Sequence, residues 1–424
     1  MIKFLFKGLL RDRSRSLFPI LTVFLGVLLT VVFYGWIQGA LTNMVDANAR
    51  FSTGHVKIMS RAYAKEVDQI PNDLAFIGVE KLTQDLRKQY PGLIWVSRIK
   101  FGGLLDIPDE QGETRDQGPV SGMAVDLFSA ETREWEILNL ADALVRGRLP
   151  EKRGEILIGE KYASQLNVEP GEKATIISST MYGSMAMANF YVSGTIRFGV
   201  TALDRGAMIA DISDIREALN MEDAAGEILG LFNDFVYRDE QAEEIKAAFN
   251  ADYANDNDEF LPVMDTLPGQ SGMADYLKMV GSMSVTVLAI YIIAMSIVLW
   301  NAGLMGSLRR YGEIGVRLAM GESKGHLYRS LISESLIVGF IGSVLGTAVG
   351  LAITYFLQEK GINISGMMKN ASILFSDIMR ARITPASFFI GFFPGLMATF
   401  LGTSISGIGV YKRKTSHLMK ELEA

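Results

Sequence analysis

"SLRRYGEIGVRLAMGESKGHLYRS", residues Ser307–Ser330, is a short charged stretch set between two long apolar runs. It carries Arg309, Arg310, Glu313, Arg317, Glu322, Lys324 and Arg329, whereas its flanks are almost without charge. Ile314, Val316, Leu318 and Met320 supply apolar surface. Glu313 and Arg317 stand four apart, so they can pair along one helical face. Gly321 is the residue type that ends a helix. The pattern predicts a short amphipathic helix. A segment that only turns the chain around needs no such pattern. A helix that inserts into a groove of another protein does need it, and so does one that lies on a membrane surface.

Outward from this stretch, no acidic or basic residue occurs over Leu17–Val45, Met279–Leu308, Ser335–Gln358 or Ile383–Tyr411. Each run exceeds the roughly 20 apolar residues that cross a bilayer as a helix. Four spans are expected, at 17–41, 279–304, 331–357 and 387–410, with 305–330 as a connecting loop. The rest is partitioned by charge. Residues Thr42–Lys278 hold 39 acidic and 23 basic residues, a net of −16, and the remainder holds 8 and 18, a net of +10. The acidic block reads as a water-facing domain, 42–278, with no electrostatic case for nucleic acid. The basic residues lie beside the spans, as they do on the cytoplasmic side. That rule puts 1–16 inside, the acidic block outside, 305–330 inside and the tail 416–424 inside. Lys360, Lys369, Arg380 and Arg382 in the outer loop between spans three and four run against it and are outvoted. The run after "MIKFLFKGLLRDRSRS" is too long for the core of a signal peptide. An uncleaved first span is therefore expected, despite the peptidase-like Ala47–Ala49. Residues 1–16 read as a cytoplasmic amphipathic segment, apolar at Phe4, Leu5, Leu9 and Leu10.

The acidic block reads as mixed α/β. "GHVKIM" and "NFYVSGTIRF" alternate like strands. "VEKLTQDLRKQY" has helical spacing and stops at Pro91-Gly92. "EILIGEKYASQL" and "GAMIADISDIREAL" each read as a strand running into a helix, the second capped by Asp211 or Ser213. "DEQAEEIKAAFNADY" reads as a surface helix.

Several chemistries have no footing here. There is no phosphate-binding loop and no dinucleotide fingerprint after a strand. The absence of cysteine removes disulfides, thiol catalysis and cysteine-ligated metals. His55, His326 and His417 are far apart and assigned to opposite sides of the membrane, so they form no joint metal site. No catalytic residue, metal site or bound cofactor is expected, and the chain is not expected to be an enzyme. Within the spans, Glu334 stands near the cytoplasmic start of the third. A carboxylate there needs a partner or water, which makes it a candidate interface ion-pair residue or a side chain that reaches the membrane surface. Gly342, Gly346 and Gly350, with Gly339 just before, repeat every four residues. They would line one helix face and let another helix come close.

"RRYGEIGVRLAMGESKGHLYRSLISESLIVGFIGSVLGTAVG" resembles the core of the FtsX-like permease domain. Arg310, Glu313, Ile314, Gly315, Arg317, Gly321, Glu334, Gly342, Gly346 and Gly350 sit at the matching places, and Glu322 replaces a residue that is usually small. "GRLPEKRGEILIGEKYASQLNVEPGEKATI" is similar to the extracytoplasmic domain of MacB-type and lipoprotein-releasing permeases, and "GHVKIMSRAY" to a segment after the first span in the lipoprotein-releasing branch. The chain departs from carrier-linked lipoprotein-releasing permeases in one place. "SSTMYGSMAMANFYVSGTIRFGVTALDRGAM" lacks their proline-containing hook motif.

The resemblance implies a multi-pass protein of the inner membrane, with four transmembrane α-helices and a large α/β periplasmic core domain between helices 1 and 2. Residues 279–415 would be the permease domain. It implies two cytoplasmic ABC ATPase subunits holding ATP and Mg, a second permease subunit, identical or paralogous, and an adaptor or carrier outside as a further candidate partner. Arg309, Arg310, Glu313, Ile314, Arg317 and Gly321 would then couple to the ATPase. The work implied is mechanotransmission, releasing or exporting a lipoprotein or other amphipathic substrate. The other reading is an FtsX-like regulator that moves an envelope partner, such as a cell-wall hydrolase, and carries no cargo.

Overall fold

The computed structural model describes residues 13–198, 201–254, 258–270, 273–308, 311–363 and 378–412. They divide into two compact units: Met1–Thr42, Met279–Ile362 and Ile378–Ala424 form one, and Asn43–Lys278 with Asn363–Asp377 form the other.

The first long helix is α1 (Arg13–Asn48), which passes into a π-helical turn, Ala49–Thr53. The acidic block then runs β1 (Val56–Ser60), β2 (Phe76–Ile77), α2 (Val79–Gln89), β3 (Leu93–Pro108), β4 (Thr114–Val125), β5 (Leu144–Gly147), β6 (Glu155–Gly159), α3 (Glu160–Gln165), β7 (Lys173–Ser179), β8 (Met185–Ile196), β9 (Ala207–Asp211), α4 (Ile212–Leu219), β10 (Ala224–Ala225), β11 (Glu227–Phe232), α5 (Asp239–Asp252) and β12 (Pro262–Thr266).

The main sheet has the order β12-β1-β11-β3-β4-β9-β6-β8-β5, with β7 paired to both β3 and β8. Two structures share it. β1-α2-β3 and β11-α5-β12 are strand–helix–strand units that interleave as β12-β1-β11-β3, every neighbour antiparallel. This is the split βαβ arrangement. Everything between β3 and β11 is inserted into it. β3 is long enough to serve both structures. Leu93–Arg98 pair with β11, Ile99 onward pairs with β4, and Leu104–Asp106 also pair with β7. Because β7 returns to β3, the circuit β3-β4-β9-β6-β8-β7 closes on itself. A closed circuit leaves none of its strands with a bare edge to template aggregation.

Alternation along β3 sets the inside of both structures. Trp95, Ile99, Phe101, Leu105 and Ile107 point one way and are buried. The same-face position 103 is glycine, because a Cβ there would lie 2.5 Å from the carbonyl oxygen of Ile177. β8 alternates likewise, with Ala186, Phe190 and Val192 buried while Met185, Met187 and Tyr191 stay exposed. The Asp211 side chain caps α4 by accepting from the Ser213 N–H at 2.9 Å. The segment "GRLPEKRGEILIG" is held by a two-pronged pair, with Arg148 Nη1 and Nη2 2.8 and 2.6 Å from the Glu155 carboxylate. Arg148 and the Glu151 N–H hold the Glu155 carboxyl down at about 2, against the opposing effect of burial.

The other unit contains α1 to Thr42, most of α6 (Met273–Leu308), α7 (Tyr311–Ala319), α8 (Lys324–Lys360) and α9 (Phe392–Lys412). Among the described residues, four helical stretches are long and apolar enough to cross a membrane: Leu17–Thr53, Gly281–Val298, Lys324–Lys360 and Pro385–Ile405. α1 and α8 run past their charge-free windows at both ends, α8 from Lys324 to Lys360, whereas α9 starts at Phe392, inside its window. Lysine, arginine and glutamate are good helix formers, so charge ends an apolar window without ending a helix.

Candidate functional site

The Ser307–Ser330 stretch closes α6, forms α7 and opens α8. Arg309 and Arg310 lie outside the described residues, as do the side chains of Glu313 and Ile314 on α7. The end of α7 is fully described. Gly321 adopts φ 91°, and its N–H donates to Leu318 O at 3.1 Å while the Glu322 N–H donates to Arg317 O at 3.1 Å. These two bonds are a Schellman ending, which satisfies carbonyls a helix would otherwise leave open. A Cβ on Gly321 would meet nothing within 4 Å, so the left-handed backbone, not space, calls for glycine. Ser323 then caps α8, its hydroxyl accepting from the His326 N–H at 3.4 Å. Arg317 Nε lies 3.7 Å from Glu322, across the turn from its own helix. Val316 and Met320, four apart, are 44% and 75% exposed. The segment is thus a helix–turn–helix that shows apolar side chains beside a cation.

The glycines of α8 are brought against α1. A Cβ on Gly342 would lie 2.8 Å from Val23 Cβ, one on Gly346 2.7 Å from Phe24 O and 2.9 Å from Val27 Cβ, and one on Gly350 3.0 Å from Val31 Cβ. Val23, Val27 and Val31 repeat at the same spacing and are buried. α9 joins the seam: a Cβ on Gly391 would meet Val27 and Val31 at 2.9 Å, and one on Gly395 would meet Ser343 Oγ at 2.8 Å. Close backbone approach between small residues is what holds helices together in lipid, where apolar burial gives no driving force. Glu334 is half-buried on α8 and does not lack a partner.

Two buried charged groups were not singled out from sequence. Arg98 and Glu134 face each other at 0% exposure, Nε to Oε1 at 2.9 Å and Nη2 to Oε2 at 2.8 Å. Glu227 Oε1 accepts from Lys57 Nζ at 2.9 Å and Lys100 Nζ at 3.0 Å. Burial alone would raise the Glu227 carboxyl, but the two ammoniums outweigh it and hold it below the usual range. Burial pulls Lys57 down to about 8. Nothing in sequence spacing marks these pairs, which lie 36, 170 and 127 residues apart. Among the described residues no group of three or more metal-ligating side chains comes together.

Residues 285–415 match the family described as FtsX-like permease C-terminal. The lipoprotein-releasing system transmembrane protein LolC of Xylella fastidiosa is 24% identical over 257 residues, 59% of each chain. The macrolide export ATP-binding/permease protein MacB of Hyphomonas neptunium is 31% identical over 94 residues, 22% of this chain and 15% of that one. The periplasmic region of MacB from Actinobacillus actinomycetemcomitans overlays 51% of this chain and 90% of its own, at TM-score 0.34 and 12% identity, a likeness too loose to carry an argument. The chain is thus similar to FtsX-like, LolC-type and MacB-type permeases, with the family match lying over residues 285–415. Its alignment spans 59% of the length of the LolC relative.

Proposed function

We propose that this chain is the permease subunit of an ABC transporter and transmits the motion of a separate ATPase to its acidic α/β domain, so as to extract or export a lipoprotein or other amphipathic substrate of the cell envelope. The observation that carries the proposal is α7 with its Schellman ending. Between two long apolar helices stands a short helix that exposes Val316 and Met320 beside Arg317. Exposed apolar side chains on a short amphipathic helix are what docking into a groove of a partner requires. The FtsX-like match over 285–415 and the LolC relatives point the same way.

In this reading α7 faces the cytoplasm and the acidic domain the periplasm of an inner-membrane protein, following the distribution of lysine and arginine. Two ATPase subunits, holding ATP and Mg, pair with this permease and a second one. ATP draws the ATPases together, α7 moves with them, and α1 and α6 carry the displacement to the acidic domain. ATP binding works here by favouring one of two states of the assembly. Transfer to a soluble carrier is not part of the proposal. The segment that lacks the hook motif is occupied by the β7–β8 hairpin, whose turn is closed by Gly183 N–H to Thr180 O at 3.0 Å.

The test is to replace Val316 and Met320 by serine and purify the chain from membranes. The expected result is loss of the co-purifying ATPase with the chain still folded. Undiminished co-purification and undiminished ATPase coupling would remove α7 from the mechanism.

A further inference from the structure

The chain passes into the acidic unit within the last turns of α1 and out of it within the first turns of α6, and inside that unit the entering and leaving segments are tied together. The entering segment is the turn Ala49–Thr53, in which the Gly54 N–H reaches back five residues to Ala49 O at 2.9 Å. The leaving segment is 266–270. Gln270 Nε2 donates to Thr53 O at 3.0 Å and to Thr266 O at 3.2 Å. The Leu267 N–H donates to His55 O at 3.1 Å.

The turn is also clamped from the sheet side. Arg50 O accepts from Arg98 Nη1 at 2.5 Å, and Arg98 is itself locked to the buried Glu134. The Arg50 guanidinium donates to Ile137 O at 3.1 Å and lies 4.6 Å from the centroid of the Phe235 ring. A merely flexible linker would need none of these bonds.

Two features set this joint apart from an ordinary helix end. A π turn holds one residue more than an α-helical turn, and such turns recur where a helix does functional work. Returning that residue to α geometry would carry Thr53 O away from Gln270. Moreover Gln270 is 5% exposed, and its Oε1 is buried with no hydrogen-bond partner among the described residues. A buried acceptor left open is costly, and native structures rarely keep one without a reason.

We infer that Thr53, Gln270 and the Arg50–Arg98–Glu134 clamp form the joint through which displacement of α1 and α6 reaches the split βαβ sheet, with Gln270 as its positioning residue. The inference rests on the mechanotransmission reading above. With the joint intact, relative movement of the two helices turns the sheet as one body. With the Gln270 bonds broken, the same movement is absorbed in the segments 49–55 and 266–270.

The chain has no cysteine, so spin labels can be placed cleanly. Glu110→Cys in the acidic unit and Glu359→Cys at the end of α8, both exposed, give one intrachain distance. It is read in the full chain, reconstituted with its co-purifying ATPase, with and without a non-hydrolysable ATP analogue. The parent should show a nucleotide-driven shift in the distance distribution. Gln270→Glu sets a carboxylate against two carbonyls and should at least halve that shift, with basal ATPase activity and assembly unchanged. Gln270→Met, which keeps the length and drops the donor, should do the same and stands in if Gln270→Glu fails to fold. A full shift in a folded Gln270 variant overturns the joint. Absence of any shift in the parent would instead overturn the mechanotransmission reading on which the joint depends.

Discussion

His55 is held neutral by its surroundings. It is buried, and its Nδ1 accepts from the Phe232 N–H at 3.0 Å. Burial pulls its pKa to about 4; Arg50 and Arg238 push the same way, and Asp234 opposes. The unfolded chain takes up this proton near its ordinary 6.5, while the folded chain refuses it until about 4. The stability this group contributes is therefore whole above 6.5 and drains away as pH falls toward 4, by on the order of 3 kcal/mol. Urea unfolding of the solubilised full chain, followed by tryptophan emission at pH 7 and pH 4.5, should show the loss. His55→Asn keeps an acceptor for Phe232 and should flatten that part of the pH dependence. At Arg98 the expectation concerns an unpaired charge. Arg98→Ala strands the buried Glu134 and should cost about 3–5 kcal/mol in the same assay, whereas Arg98→Met with Glu134→Leu should recover most of it. Neither effect was legible in the sequence, because one arginine and one glutamate among many carry no mark of facing each other. Gly321 was legible, because a glycine after a periodic helical run has few other uses.

For single elements, periodicity showed which faces matter but not what they meet. The four-residue glycine repeat of α8 is plain in the sequence. Its partner row, Val23, Val27 and Val31, is hidden because α1 is apolar on every side and valine there is unremarkable. The structure supplies a magnitude. A Cβ on Gly346 would sit 2.7 Å from Phe24 O, a backbone atom that cannot swing aside. Gly346→Ala should therefore cost about 1–3 kcal/mol, and Gly346→Leu should drive α8 off α1. Resistance to a mixed SDS–urea titration is the measurement, with Phe340→Leu, an exposed position on the same helix, as the control. In α7, Gly321→Val forces a branched side chain into the left-handed region. It should cost roughly 1–2 kcal/mol and fray the Schellman ending, read as faster amide exchange at Gly321 and Glu322.

At the scale of the whole molecule, charge did most of the work of reading. Four uncharged runs separate an acidic block from basic flanks, and the long apolar helices lie along those runs. The short strands and helices of the acidic block also announced themselves locally: β1 by its alternation, α2 by its spacing, and α4 by its cap. The closed circuit through β7 and the split βαβ frame around it did not. Both depend on which strands pair across long stretches of chain, such as Leu104 with Ile177, and no local pattern encodes that. The joint at Thr53 and Gln270 stayed hidden for the same reason, its partners being 217 residues apart.

The central claim is that force made by a separate ATPase reaches the acidic domain through this chain. Hydrogen–deuterium exchange of the reconstituted permease–ATPase assembly, with and without ATP, tests it most directly. ATP should change protection in the strands β1, β3, β11 and β12, and Arg317→Glu with Met320→Ser should abolish the change while leaving the domain folded. Identical exchange in the acidic domain with and without ATP, while the partner hydrolyses nucleotide, would contradict it.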